Sequence, residues 1–181
     1  MKITVIYDSQ GGNTEKMAEA VAGGVSSVEK ISCTVKKVED AVPQDLLSSE
    51  GIIVGTPTHC GLMSWKLKKF FDENTGEAWG KTKGKIAAAF STAGGLGGGN
   101  EMAILSVLNV LMNYGFLVFG LPEYASENVT AHYGAAAVGE PDDMELKACR
   151  MLGVQTAEYV KQMNKHTTQE EKGWSKFSDQ E

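Results

Sequence analysis

Lys2-Ile3-Thr4-Val5-Ile6-Tyr7-Asp8, followed at once by Ser9-Gln10-Gly11-Gly12-Asn13-Thr14, decides how this chain is built. The opening run is rich in β-branched residues, as a strand requires, and the glycine pair marks a tight turn. Apolar residues then recur at Met17, Ala18, Val21, Ala22 and Val25, the spacing of a helix with one buried face. The stretch therefore reads as strand, tight turn, helix.

The same alternation continues downstream. Ile31 to Val38 is a second strand, and Pro43 to Leu47 a short helix or turn opened by its proline. Gly51 to Thr56 is a third strand, apolar without alternation, as expected of a parallel strand covered on both faces. A helix is predicted over Leu62 to Glu73, where Met63, Leu67, Phe70 and Phe71 share a face and Lys66 and Lys69 lie between them. Lys85 to Ser91 is a fourth strand, Glu101 to Asn113 an apolar helix, and Phe116 to Gly120 a fifth strand. Asp142 to Met163 closes the unit as a long helix behind the start signal Pro141-Asp142-Asp143. Strands that alternate with helices make a parallel sheet, and right-handed crossovers place helices on both faces. Ligands of such sheets bind beyond the carboxyl ends of the strands, where the strand order reverses.

Bulk composition bounds the possibilities. A chain of 181 residues that is 42% hydrophobic can bury one good core. No apolar run is long enough to span a membrane, and no charged-then-apolar leader opens the chain, so a cytoplasmic protein is expected. Cys33, Cys60 and Cys149 form no C-x-x-C pair, which points to a reducing compartment without a disulfide framework or a metal site. A net charge of -6 without a basic stripe argues against nucleic acid. His132 and His166 read as surface residues, and Cys33 and Cys149 as small apolar packing groups. From Lys165 the composition turns polar, so residues 1–164 are expected to form the domain and 165–181 a tail. Trp174 and Phe177 are either incidental to that tail or dock on a neighbouring subunit.

Three loops fall at the carboxyl ends of strands and carry the chemistry. At Ser9 to Thr14, a phosphate would meet the unpaired N–H groups and positive dipole end of a helix, with hydroxyls from Ser9 and Thr14. The loop has no Lys or Arg, which separates it from a nucleoside-triphosphate loop and suits a terminal monophosphate. The plainer alternative is a glycine turn before a helix capped by Thr14. The second loop, Thr56-Pro57-Thr58-His59-Cys60-Gly61, and the third, Ser91-Thr92-Ala93-Gly94-Gly95, are built from small residues whose backbone groups can edge a planar heterocycle. Gly80-Lys81-Thr82 imitates the end of a Walker A motif, but no apolar strand precedes it and Gly76 is one residue too close. It reads as a surface loop.

Five stretches carry a family resemblance: Ser9 to Thr14; Gly55-Thr56-Pro57-Thr58 through Gly61; Phe70-Phe71-Asp72 with Thr75-Gly76 and Trp79; Gly97-Gly98-Gly99-Asn100-Glu101; and Tyr133-Gly134-Ala135. Together they resemble the flavodoxin-like NAD(P)H:quinone oxidoreductases, the tryptophan-repressor-binding-protein type, within the FMN-binding flavodoxin superfamily. The resemblance covers most of Met1 to Met163. It implies a three-layer α/β/α sandwich on a five-stranded parallel sheet of order 2-1-3-4-5.

By the same resemblance Ser9, Gln10, Gly11, Gly12, Asn13 and Thr14 would bind the FMN phosphate. Pro57, Thr58, His59, Cys60 and Gly61 would line one edge of the ring, and Ser91, Thr92, Ala93, Gly94 and Gly95 the other. Trp79 would roof the acceptor pocket, and Tyr114, standing where a histidine is common, would hydrogen-bond the acceptor as the catalytic group. His59 and Cys60 replace a usual arginine and aromatic, and the segment from Glu39 to Glu50 is shorter than in the tetrameric reductases. The implied activity passes electrons from NADH or NADPH through FMN to a quinone-like acceptor in a homo-oligomer, dimer or tetramer. A flavodoxin-type one-electron carrier is the alternative, followed by a flavin-binding regulatory or structural module with little turnover. No cysteine cluster is present for an iron-sulfur relative.

Overall fold

The computed structural model describes residues 1–170. Strand β1 (Lys2–Tyr7) pairs in parallel with β2 (Ser32–Lys37) on one side and β3 (Gly51–Pro57) on the other. Strand β4 (Ile86–Ala93) follows, then β5 (Leu117–Val118), giving the order β2-β1-β3-β4-β5. The flavodoxin-like sandwich expected from the sequence is thus the observed fold. Every residue of β4, and all of β3 but its last, is buried, because helices cover both faces, whereas edge strand β2 is half-solvated.

Alternation along the strands divides the core in two. Ile3, Val5, Ile53 and Phe90 pack with Met17, Val21, Leu152 and Val160 of helices α1 (Asn13–Ser26) and α5 (Asp143–Glu170). Ile6, Ile52 and Val54 point the other way. They meet Leu46 of α2 (Pro43–Ser48), Leu67 of α3 (Trp65–Lys69), and Ile104 and Leu111 of α4 (Asn100–Asn113). Helices α1 and α5 cross at glycines: a Cβ on Gly24 would lie 2.1 Å from the Arg150 carbonyl oxygen, and one on Gly153 2.1 Å from that of Val21.

Three elements differ from the sequence reading. Among the described residues the sheet has six strands, because the fifth position is shared. Residues Leu117 and Val118 pair with the start of β4, and β8 (Ala135–Val138) pairs with its end, Phe90 to Ala93. Between them the antiparallel hairpin β6 (Leu121–Ser126) and β7 (Val129–Ala131) leaves the sheet. Pro122 lacks the N–H that would continue the ladder, and a Cβ on Gly120 would lie 2.0 Å from the His132 carbonyl oxygen, so the strand expected over Phe116 to Gly120 is cut short.

The helix expected from Leu62 begins at Trp65. Leu62 is held back in a two-way bridge with His59, the Ser64 N–H donates to Thr56 Oγ1 at 2.9 Å, and Ser64 Oγ accepts the Leu67 N–H as an N-cap. The helix then widens to π geometry over Phe70–Asn74.

Helix α5 starts as predicted. Asp142 accepts the N–H groups of Met144 and Glu145 at 2.8 Å while Glu145 returns a bond to the Asp142 N–H, a capping box. It runs through Glu170, past the Met163 end and the Lys165 boundary read from composition. Trp174 and Phe177 lie outside the described residues. Among the described residues no helix is long and apolar enough to cross a membrane, and no trio of His, Cys, Asp or Glu is placed to hold a metal ion.

Candidate cofactor site

The Asp8 N–H donates to the Gly55 carbonyl, extending the β1–β3 ladder by one rung, and the chain then turns through Ser9 to Gly12 into α1. Gly12 adopts φ +88°, a left-handed conformation that costs a glycine little. Its N–H donates to Ser9 Oγ at 3.1 Å, which tightens the bend. No side chain caps α1, so the N–H groups of its first turn have no partner within the helix. Cβ atoms on Gly11 or Gly12 would meet nothing within 4 Å. Main-chain donors at the positive end of a helix thus border open space, the arrangement a phosphate monoester needs.

Thr14 is 2% exposed, and its hydroxyl bonds that of Thr92 at 2.9 Å, joining the first loop to the end of β4. Thr58 makes the next link: its N–H donates to the Thr92 carbonyl at 2.7 Å and its hydroxyl meets Ser91 Oγ at 3.0 Å. His59 and Leu62 exchange both backbone hydrogen bonds across the pair Cys60 and Gly61, with φ of 51° and 79°. Two successive positive φ angles make a type I′ turn, which glycine tolerates and cysteine resists. Beyond it a Cβ on Gly99 would approach Gly61 Cα to 3.3 Å, so the second loop touches the start of α4, just past the third loop. Gly94 and Gly95 are exposed, with no atom within 4 Å of a Cβ on either. The three loops therefore frame one crevice at the carboxyl edge. Its open glycines, main-chain donors and hydroxyls fit a flat ring carrying a terminal phosphate.

Within the third loop the structure separates two roles. Ser91, Thr92 and Ala93 belong to β4 and are buried, so Ser91 and Thr92 act as hydroxyl ties between loops, and only Gly94 and Gly95 open onto the crevice. Cys60 is exposed, whereas Pro57, Thr58 and His59 are half-buried. His59, Cys60, Leu62 and Trp65 open onto a groove between α3 and α4. Trp65 is 62% exposed there, and within an apolar stretch of helical spacing its sequence position gives no sign of this.

Trp79 and Tyr114 are not brought to this crevice. Helix α4 runs back from the Gly-rich loop, so Tyr114 at its C-terminal end stands at the amino edge of the sheet, beside the start of β5. Its hydroxyl is buried and committed, donating to the Phe71 carbonyl at 2.8 Å and bonding Thr75 Oγ1. Trp79 packs against the Tyr114 ring at 5.0 Å between centroids. Trp79 is 58% exposed and, with Tyr114, lines a separate hollow beside Gly76 and Asn113. Thr82 of the Walker-like decoy is buried and bonds the Tyr114 carbonyl, while Gly80 and Lys81 are exposed.

Charges ring the first loop in pairs. Lys16 bonds Glu140, and Glu15 accepts from Tyr7 Oη at 2.6 Å and pairs with Lys37 at 3.3 Å. The Tyr7 hydrogen bond, then Lys37, hold the Glu15 carboxyl below the usual range. Burial first, then Glu15, push the Tyr7 phenol up. Asp8 and Lys66, which sequence reading did not single out, stand 3.7 Å apart at the root of the loop.

This fold, with an open glycine turn at the switch point, is of the flavodoxin type. The flavodoxin family model matches residues 5–133, and the chain belongs to that family, for which FMN is the implied cofactor. It is 52% identical over 160 residues to a flavodoxin of Aquifex aeolicus strain VF5, covering 88% of this chain and 86% of that protein. It is 33% identical over 190 residues to an NAD(P)H dehydrogenase (quinone) of Archaeoglobus fulgidus, covering 90% and 98%. The solved structure of a flavodoxin from the domain Archaea superposes with a TM-score of 0.71 at 30% identity, over 89% of this chain and 99% of that one.

Proposed function

We propose that this protein is an FMN-binding one-electron carrier of the flavodoxin type. One observation carries the reading. The three carboxyl-edge loops are tied to one another within a single chain, while the Tyr114 hydroxyl is spent on the Phe71 carbonyl and Thr75 at the other edge and the exposed Trp79 lies against the Tyr114 ring there. The 52% identical flavodoxin supports it. FMN, when bound, supplies the redox chemistry. The chain's own contribution is to hold the phosphate on the backbone of Ser9, Gln10, Gly11, Gly12, Asn13 and Thr14. Pro57, Thr58, His59, Cys60 and Gly61 then edge the ring on one side, and Gly94 and Gly95 on the other. Ser91, Thr92 and Ala93 fix the spacing between these loops. Preorganised main-chain donors at the ring edge favour the charge that reduction places there.

A second reading is an NAD(P)H-dependent reductase of quinone-like acceptors, acting as a homo-oligomer. The relative from Archaeoglobus favours it, as does the groove beside Cys60 and Trp65, which is large enough for a flat acceptor. The two are separated by a reductive titration of the purified flavoprotein, followed by NADH or NADPH with and without benzoquinone. The carrier takes up electrons in two resolved single steps and shows negligible quinone-dependent NAD(P)H oxidation. Rapid quinone-dependent oxidation overturns it in favour of the reductase. A colourless protein that takes up no added FMN ends both readings.

A further inference from the structure

We propose that Lys66 is a positioning residue for the phosphate of the cofactor: by offsetting the charge of Asp8 at the root of the opening turn, it lets that turn accept a dianion. The inference rests on the FMN reading above.

Asp8 immediately precedes Ser9 and is 2% exposed. Among the described residues neither of its carboxylate oxygens accepts a hydrogen bond, although the loop N–H groups that an acid at such a turn ordinarily captures follow directly in the chain. Its ionic partner is Lys66, whose Nζ lies 3.7 Å from Asp8 Oδ1. Lys66 comes from the first turn of α3, behind the second loop, and also bonds the Glu39 carboxylate. The other lysines at this end are engaged elsewhere, Lys16 with Glu140 and Lys37 with Glu15.

Fold stability does not account for the pair. Burying a carboxylate without hydrogen bonds costs more than a loose ion contact returns, and an apolar pair of similar volume would serve as well. Its electrostatic effect on the loop is direct. A bare carboxylate covalently adjacent to the phosphate turn would oppose a dianion through a poorly screened medium, and Lys66, which is shared with the half-exposed Glu39, offsets it. The opening loop itself carries no basic side chain, so this compensation reaches it from a segment more than fifty residues away in sequence.

The test compares FMN with riboflavin, which lacks the phosphate, on the apoprotein by quenching of flavin fluorescence. Wild type binds FMN more tightly than riboflavin. In Lys66→Met the FMN dissociation constant rises about tenfold with riboflavin unchanged, the scale of one uncompensated charge near a partly screened site. Lys66→Arg keeps wild-type affinity. Asp8→Asn binds FMN several-fold more tightly, and the double variant returns to within about threefold of wild type, because the charge that needed cancelling is gone. Equal weakening of both flavins in Lys66→Met, an unchanged FMN-to-riboflavin ratio, or weaker FMN binding in Asp8→Asn overturns the proposal. Wild type that binds both flavins equally refutes the phosphate assignment itself, and this inference with it. Asp8→Asn retains Lys66 and so tests the pair even if the lysine variants fold poorly.

Discussion

The hydroxyls of Thr14 and Thr92 hydrogen-bond at 2.9 Å across 78 positions of sequence, both side chains buried, and so pin the first turn of α1 to the end of β4. The bond makes two loops, far apart in the chain, behave as one wall of the crevice. Removing either hydroxyl leaves the other buried without this partner.

Thr14→Val is therefore expected to destabilise the apoprotein by about 1–3 kcal/mol and to weaken FMN retention. A double-mutant cycle with Thr92→Val, read by urea denaturation, should recover part of the loss. A fully additive cycle would show that the pair contributes no coupling. At the neighbouring exposed position, Lys16→Val should leave FMN retention close to wild type.

Tyr114→Phe tests the relocation of that residue to the amino edge. With the hydroxyl gone, Thr75 Oγ1 and the Phe71 carbonyl each lose a buried partner, which is expected to cost about 1–2 kcal/mol of stability. FMN affinity and electron-transfer rates should match wild type. A selective loss of electron transfer at full stability would reinstate Tyr114 in the chemistry.

Adjacent glycines of α1 should respond with opposite signs. A Cβ on Gly23 meets nothing within 4 Å, so Gly23→Ala gains helix propensity, about 0.5–1 kcal/mol. At Gly24 the same methyl would lie 2.1 Å from the Arg150 carbonyl oxygen, and α5 must move away. Gly24→Ala is expected to lose about 2 kcal/mol or more by thermal unfolding.

The three cysteines should label in a fixed order. Cys60 is exposed on the type I′ turn and reacts with a maleimide in the native state. Burial pushes the Cys33 thiol up to about 11 and that of the fully buried Cys149 to about 12. Since the thiolate is the nucleophile, Cys33 labelling at neutral pH should be slow and rise about tenfold per pH unit until that range. Cys149 should react only on unfolding, as mass spectrometry of the labelled peptides would record. Cys60→Asn, better suited to φ 51°, should stabilise the apoprotein by up to about 1 kcal/mol.

The order of strands and helices, the glycine turn at Ser9 to Thr14 and the capped start of α5 were all decided by local sequence. Each depends on backbone chemistry and periodicity over a few residues, and short-range physics suffices for them. The split of the fifth strand at Gly120 and Pro122, the late start of α3 behind Ser64 and the placement of Trp79 and Tyr114 were settled only by tertiary structure. So was the meeting of Asp8 with Lys66. The first two turn on contacts three to twelve residues apart, such as Ser64 with Thr56 and Gly120 with His132, that no periodicity announces; the last two depend on which way a helix runs after its loop and on residues dozens of positions apart. Local sequence made a turn fit for a phosphate; packing determined what surrounds it.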